Sequence, residues 1–349
     1  MPDTAWKKFV VVAGVAVFLL AFPVVVRDAF LLRLFTEALM WIGLAITWDL
    51  IAGYIGYLNF GHGVFFGFGA YTTTILFTKA NLPFWLSLAV GGGVAALAAL
   101  VIGWPVLRLR GAYFAIATWA FGRAIMQLAL VLDITGGPDG MRLPPFLNPH
   151  FFAYVMLALV GATYIVLWVL LERAPFGLKL KAIREDESGS LAIGLNPAKL
   201  KLQALILSAA PAGLIGGVYA YWITFIDPSS VFGDLVTDQA VVMAVFGGMG
   251  TLIGPAIGAV FFLTFKTYFW AYLSDFQVLY LIILGVAIAA CVVFLPDGIW
   301  GAVTRRQEGR RALRKGLSLR QGEAVPPAHP SSPGADPRTP ARPRDGKEG

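Results

Sequence analysis

Apolar runs of membrane length, separated by short polar punctuation, occupy most of this chain. A helix needs about 20 apolar residues to cross the hydrocarbon layer, where irregular backbone exposed to lipid is not tolerated. Spans are therefore expected at roughly 9–26, 34–52, 60–78, 85–106, 112–132, 151–171, 204–226 and 277–295. A further apolar stretch, Gln239 to Phe265, is interrupted by Gly247, Gly248, Gly250, Gly254 and Pro255, and reads as two short helices or a dip and return. The pattern predicts an all-α polytopic membrane protein of about 8–10 transmembrane helices, some of them broken at glycines.

One polar interruption is long enough to have its own structure. It runs from Glu172 to Lys201, ERAPFGLKLKAIREDESGSLAIGLNPAKLK. Lys179, Lys181, Arg184, Glu185, Asp186 and Glu187 are interleaved there with Leu178, Ile183, Leu191 and Ile193. Residues 178–187 fit one or two helical turns with an apolar side, and Asn196-Pro197 breaks the chain before the next span. Two readings stand side by side: a surface helix that docks into a groove on a partner, or a solvated loop stapled by ion pairs.

Composition changes the picture in two ways. The chain is 58% hydrophobic and 13% charged, whereas soluble domains are about 45–50% apolar and about 25% charged, so lipid is the solvent for most of it. The net charge of +7 sits almost wholly in the tail, where residues 305–349 carry 11 Lys/Arg against 5 Asp/Glu. Residues 1–304 form the expected transmembrane domain, with a cytoplasmic loop at about 172–203. Residues 305–349 read as a basic, Pro-rich cytoplasmic tail that buries too little apolar surface to fold. Basicity confined to a tail gives no nucleic-acid-binding face.

Lys7 and Lys8 precede an apolar run, Phe9 to Val26, that is too long for a signal peptide and reads as an uncleaved first span. Threading the spans from a cytoplasmic N-terminus puts 21 basic residues on the cytoplasmic side and 5 outside. Both termini are then cytoplasmic, provided 239–265 crosses an even number of times. On this threading Asp227, Asp234 and Asp238 fall in an outside loop, leaving Asp49, Arg123 and Glu37 as the ionisable groups within spans.

Two glycine-rich stretches are candidates for a transport path. The first is GYIGYLNFGHGVFFGFGAY, Gly53 to Tyr71, with Asn59 and His62 at the break. The second is FGGMGTLIGPAIGA, Phe246 to Ala259, where Gly250-Thr251-Leu252 loosely echoes Gly56-Tyr57-Leu58. Broken helices at membrane depth commonly line a cavity, and a polar side chain there is a functional candidate. The path candidates are Asn59, Gly61, His62, Gly63, Gly248, Gly250 and Gly254. The alternative is that the glycines serve tight packing and His62 bonds a neighbouring carbonyl. No GxxxxGK[ST], HExxH or GxSxG motif occurs, and the lone Cys291 builds no disulfide framework or cysteine metal site. No catalytic residue, metal or cofactor is expected.

The chain resembles the permease subunits of bacterial branched-chain amino acid ABC importers, the LivM-like family. The resemblance rests on GHGVFFGFGAY (Gly61–Tyr71), LRLRGAYFAIATWAFG (Leu107–Gly122), ITGGPDGM (Ile134–Met141), FGLKLKAIREDE (Phe176–Glu187), AIGL (Ala192–Leu195) and GGMGTLIGPAIGA (Gly247–Ala259). It implies an ABC importer permease fold in the bacterial inner membrane, forming the translocation path for branched-chain amino acids. The implied partners are a second homologous permease, two cytoplasmic ATP-binding subunits and a periplasmic substrate-binding protein. Ala182 to Gly194 matches the family's coupling loop, which marks Lys181, Arg184, Glu185, Asp186, Glu187 and Gly194 as coupling candidates. Two departures stand out: Ser188-Gly189-Ser190 replaces an Ala-rich stretch, and Arg123 stands where relatives commonly carry Glu. Relatives that move urea, short amides or other small acids keep the cargo open. A stand-alone secondary carrier is disfavoured by the scarcity of ionisable groups within spans.

Overall fold

In a computed structural model, the residues described are 17–272, Gly14, Val286 and 298–301. Cys291, nearly all of the expected span at 277–295 and the expected tail lie outside them. Residues 17–25 are helical (α1). There follow α2 (Ala29–Ile55), α3 (Gly63–Thr78), α4 (Phe84–Val106), α5 (Ala112–Val131) and α6 (Pro149–Trp168, extended by a π turn over Val169–Arg173). Next come α7 (Pro175–Glu185), α8 (Glu187–Ala192), α9 (Pro197–Ile223), α10 (Pro228–Phe232), α11 (Asp234–Gly247) and α12 (Ile253–Tyr272). Six helical segments among these are long and apolar enough to cross a membrane, and α3 and residues Ile253–Thr267 are shorter apolar helices. The protein is an all-α polytopic membrane protein.

Helix starts follow a repeated local rule. Asn148-Pro149, Asn196-Pro197 and Asp227-Pro228 each open a helix, with the side-chain oxygen accepting a backbone N–H of the first turn and Pro in that turn. Asn196-Pro197 thus starts α9 seven residues earlier than the apolar pattern suggests, and Lys201 falls inside the helix. The expected span at 60–78 begins later, at Gly63, because residues 56–62 leave the helix.

The centre is held by glycine-mediated contact between α3, α4 and α9. A methyl on Gly69 would overlap the carbonyl of Gly213, one on Gly216 would overlap that of Phe66, and one on Gly91 would crowd the carbonyl of Gly69. In lipid there is little hydrophobic gain from joining helices, so close backbone approach supplies the packing energy. Large apolar side chains point outward instead: Val101, Trp104 and Ile165 are all at least 60% exposed. Facing hydrocarbon, they need no cover.

The helical bundle has two distinct ends. At one end, residues 53–57, Arg110, the polar island and Gly250 come together. At the other, β1 (Met141–Arg142) pairs antiparallel with β2 (Phe225–Ile226), and Lys79 donates to the carbonyl of Ile134. The interrupted stretch 239–265 is a helix–turn–helix packed on α2. The Gly250 amide bonds Asp49 near one end of α2, and Lys266 pairs with Glu37 at 3.4 Å near the other. After the turn at Gly250 the chain therefore runs back along α2 from one end toward the other. Asp234 and Asp238 do not lie in a loop, as the charge pattern suggested. They are on α11, within Pro228–Gly247, a segment long and apolar enough to cross.

Gly69→Ala should lower thermal stability of the detergent-solubilised protein by about 1–3 kcal/mol, the usual cost of overpacking. Gly93→Ala, where an added methyl meets nothing within 4 Å, should leave the unfolding temperature unchanged. Equal behaviour of the two variants would contradict the packing account.

Candidate functional site

The polar island folds as two helices rather than one. Asp186 leaves the helical conformation, ends α7, and its carboxylate accepts the Ser188 N–H at 2.9 Å to cap α8. Ser188-Gly189-Ser190 forms the first turn and middle of the second helix. Ser190 adds a hydroxyl bond to the Asp186 carbonyl at 2.8 Å.

The island is fixed to the bundle at two points. The first is Arg184. Its guanidinium donates to the carbonyl of Gly53 in the last turn of α2. Its stem lies against Gly56, where a Cβ would sit 3.1 Å from Arg184 Cγ, and its guanidinium against Gly250, where a Cβ would sit 3.0 Å from a terminal nitrogen. Gly56 ends α2 with φ +85°, and Gly250 turns the chain between α11 and α12 with φ +79°. Left-handed backbone of this kind favours glycine, and here the missing side chain also leaves space for the arginine. The buried Asp49 closes the cluster: its two oxygens accept the Gly250 N–H at 3.1 and 3.0 Å, and Arg184 attracts it. One arginine of the island thus touches the ends of both broken segments.

The second anchor is a buried ionic triangle. Lys201, whose side chain is 1% exposed, donates to Glu187 Oε1 at 2.7 Å and to the Tyr57 hydroxyl at 3.0 Å. Tyr57 in turn donates to Glu187 Oε2 at 2.6 Å, and Arg110 lies 3.9 Å from the same carboxylate. Burial alone would raise the Glu187 pKa. Hydrogen bonds from Lys201 and Tyr57 and the charges of Lys201 and Arg110 outweigh it, holding the carboxyl below its ordinary value. The Tyr57 hydroxyl is pushed upward, by burial first and then by Glu187, so it stays protonated as the donor.

The other coupling candidates lie outside these two anchors. Lys181 has its ammonium 5.2 Å from the Tyr54 ring centre, while Glu185 and Asp186 are exposed. Gly194, at φ +83°, turns the chain after α8, with nothing within 4 Å of the place a Cβ would take. Leu178, Leu191 and Ile193 are 73%, 54% and 73% exposed, apolar side chains of the island left largely uncovered.

The path candidates of the first break are buried and bonded. Asn59 accepts the Gly61 N–H through its side chain and the Trp48 indole N–H through its carbonyl. The fully buried His62 ring lies between the hydroxyls of Thr47, 3.1 Å away, and Ser208, 3.4 Å away. Gly63 donates to Thr237 at 2.8 Å, and Gly61 sits against the Thr118 carbonyl of α5. Gly248 and Gly254 meet each other in the second break, where a Cβ on Gly254 would overlap the Gly248 carbonyl. Arg123 pairs with Asp234 at 3.0 Å and lies over Trp119. Sequence reasoning missed Lys201, Tyr57 and Asp49. The one signal for Lys201 was a cation that, with Lys199, falls inside the start of an apolar helix.

With this geometry in view, comparison with known proteins identifies the chain. Residues 30–292 match the family described as "branched-chain amino acid transport system / permease component". The chain belongs to that family. It is similar to the high-affinity branched-chain amino acid transport system permease protein LivM of Salmonella typhimurium, 32% identical over 83% of this chain and 72% of the relative. LivM of Escherichia coli is 31% identical over 76% of this chain and 68% of the relative. The Salmonella typhimurium permease protein LivH is more distant, 24% identical over 74% of this chain and 90% of the relative. No solved structure gives a significant match. The family is that of a permease component of a transport system.

Removing Lys201 leaves the half-buried Glu187 carboxylate with Tyr57 and the more distant Arg110 alone, so Lys201→Met should destabilise the permease by about 1–3 kcal/mol. Lys201→Met combined with Glu187→Gln should recover most of that loss in thermal unfolding. A double variant no more stable than the single would contradict the pairing. The sign of the pH effect follows from the lowered Glu187 pKa. Its stabilisation is full above the ordinary value of 4.5 and fades as pH falls through the lower folded value. The stability gap between wild type and Glu187→Gln should therefore be constant between about pH 8 and about pH 5, and shrink in stronger acid.

Proposed function

We propose that this chain is one membrane subunit of an ATP-driven importer for branched-chain, hydrophobic amino acids. In this reading a second homologous permease completes the membrane part, two cytoplasmic subunits bind and hydrolyse ATP, and a periplasmic binding protein delivers the cargo. The observation that carries the reading is the two-sided island. Its inner side is tied to both broken segments through Arg184 and to α9 through Glu187 and Lys201. Its outer side presents Leu178, Leu191 and Ile193. That arrangement suits a lever seated in a separate engine, and the chain has no GxxxxGK[ST] loop with which to bind ATP itself.

The basic end of the bundle faces the cytoplasm and the strand-paired end faces outward, in accord with the excess of Lys and Arg around the island. The membrane is the bacterial inner membrane. Lys181, Arg184, Glu185, Asp186, Glu187 and Gly194 transmit movement of the ATPases, the inner ones by holding the bundle and the outer ones by meeting the partner. Asn59, Gly61, His62 and Gly63 with Gly248, Gly250 and Gly254 form the two hinges that rearrange beside the path. No cofactor is needed by this chain. The names of the similar proteins favour branched-chain amino acids over urea, short amides or other small acids as cargo.

Two outcomes are expected. Vesicles carrying the chain with its partner subunits and binding protein should accumulate labelled leucine only with ATP, and lose uptake without this chain. Uptake that persists without the ATPases would overturn the ABC reading, and uptake of labelled urea alone would change the cargo. Leu191→Arg with Ile193→Arg should abolish co-purification of the ATPases while the two permeases still co-purify. Undiminished recovery of the ATPases would show that the island's outer face is not their seat.

A further inference from the structure

Charged side chains are costly within a bilayer and occur there facing a partner, a water-filled cavity or a transport path. Arg123 is the twelfth of the 20 residues of α5, which puts it about 17 Å along a helix about 30 Å long. Asp234 and Asp238 lie six and ten positions into the crossing segment Pro228–Gly247. Charge at this depth is not packed away: the side chains of Arg123 and Asp234 are 47% and 29% exposed, and Asp238 is exposed.

The group is ordered as a surface. Trp119 and Arg123 are one turn apart on α5, and Asp234 and Asp238 are one turn apart on α11, so two short rows face each other. Arg123 pairs with Asp234 at 3.0 Å, Trp119 donates its indole N–H to the same carboxylate at 3.4 Å, and the guanidinium lies 5.9 Å from the Trp119 ring centre. Asp238 makes no ion pair among the described residues. The patch therefore holds one cation, two carboxylates and an indole, with Ile116, 62% exposed, one turn further along α5. It adjoins the first break, where Thr237, next to Asp238, accepts the Gly63 N–H and where Gly122, next to Arg123, faces Gly61 and Val64.

We propose that Arg123, Asp234 and Asp238, with Trp119 and Ile116 beside them, form a subsite for a zwitterionic amino acid on the transport path. The free face of the Arg123 guanidinium takes the carboxylate, Asp238 and Asp234 take the ammonium, and Trp119 and Ile116 receive an apolar side chain. The placement also gives a role to Arg123, the departure from the family pattern. The inference deepens the importer reading and rests on it.

The test uses the complete importer in proteoliposomes with its binding protein and labelled leucine. Arg123→Gln and Asp238→Asn should each lower uptake by at least about tenfold, the scale of one lost charge-assisted hydrogen bond, while still co-purifying with the partner subunits. The swap Arg123→Asp with Asp234→Arg should remain as poor as the single variants. Uptake restored by the swap would make the pair a structural staple, and wild-type uptake by Arg123→Gln and Asp238→Asn would remove the subsite; either result overturns the proposal. An accessibility measurement covers variants that fail to assemble. Ile116→Cys, with Cys291→Ser, should react with a charged, membrane-impermeant thiol reagent and be slowed by leucine. An unreactive Ile116→Cys would mean that this face meets lipid or protein, against the proposal. Failure of the wild-type importer to take up leucine would instead sink the importer reading, so the two failures are distinguishable.

Discussion

Arg184 joins parts of the chain that are far apart in sequence. It bonds the last turn of α2, lies against the left-handed glycine that ends that helix, and reaches the left-handed glycine between α11 and α12. Any side chain at Gly56 or Gly250 would crowd it, so the two glycines serve backbone geometry and arginine seating together. Asp49 fixes the other side by taking the Gly250 amide, whose hydrogen bond would otherwise be missing at a helix break. Both broken segments therefore end at one guanidinium carried by the polar island.

The ionic triangle makes that attachment stiff. A buried ammonium inside α9 needs a partner, and Glu187 supplies it from α8 while Tyr57 fills the third corner. Separating α8 from α9 would strand Lys201 in an apolar surround, so the island and α9 move together. On the other side of α9, glycines set it directly against α3 and α4. A displacement of the island is passed to the central helices through contacts with little slack. This continuity, rather than any single residue, is what the proposed lever role of the island rests on.

Much of this was legible in the sequence because lipid imposes a simple code. Apolar runs gave most of the helices, and the glycine interruptions at 53–71 and 246–259 marked both breaks. The faint echo of Gly56-Tyr57-Leu58 in Gly250-Thr251-Leu252 corresponds to two left-handed glycines that share Arg184. What stayed hidden depends on partners distant in the chain. His62 is held by Thr47 and Ser208, and nothing local distinguishes that role from one in a path. Lys201 reads as one more positive charge near a helix start until Glu187 and Tyr57 surround it. Asp234 and Asp238 look like loop residues because charge normally marks a loop; only the pairing of Asp234 with Arg123, distant in the chain, gives a reason for charge within that segment. The split of the island at Asp186 was equally hidden, since capping there competes with a continuous helix by little energy.

The most direct test of the attachment is the number of leucine molecules taken up per ATP hydrolysed by an Arg184→Ala importer in proteoliposomes. The account predicts that the ATPases still bind and turn over, because the outer face of the island is intact, while the uptake-to-ATP ratio falls well below that of wild type. An unchanged ratio would mean that force reaches the broken helices by another route, contradicting the central role given to Arg184.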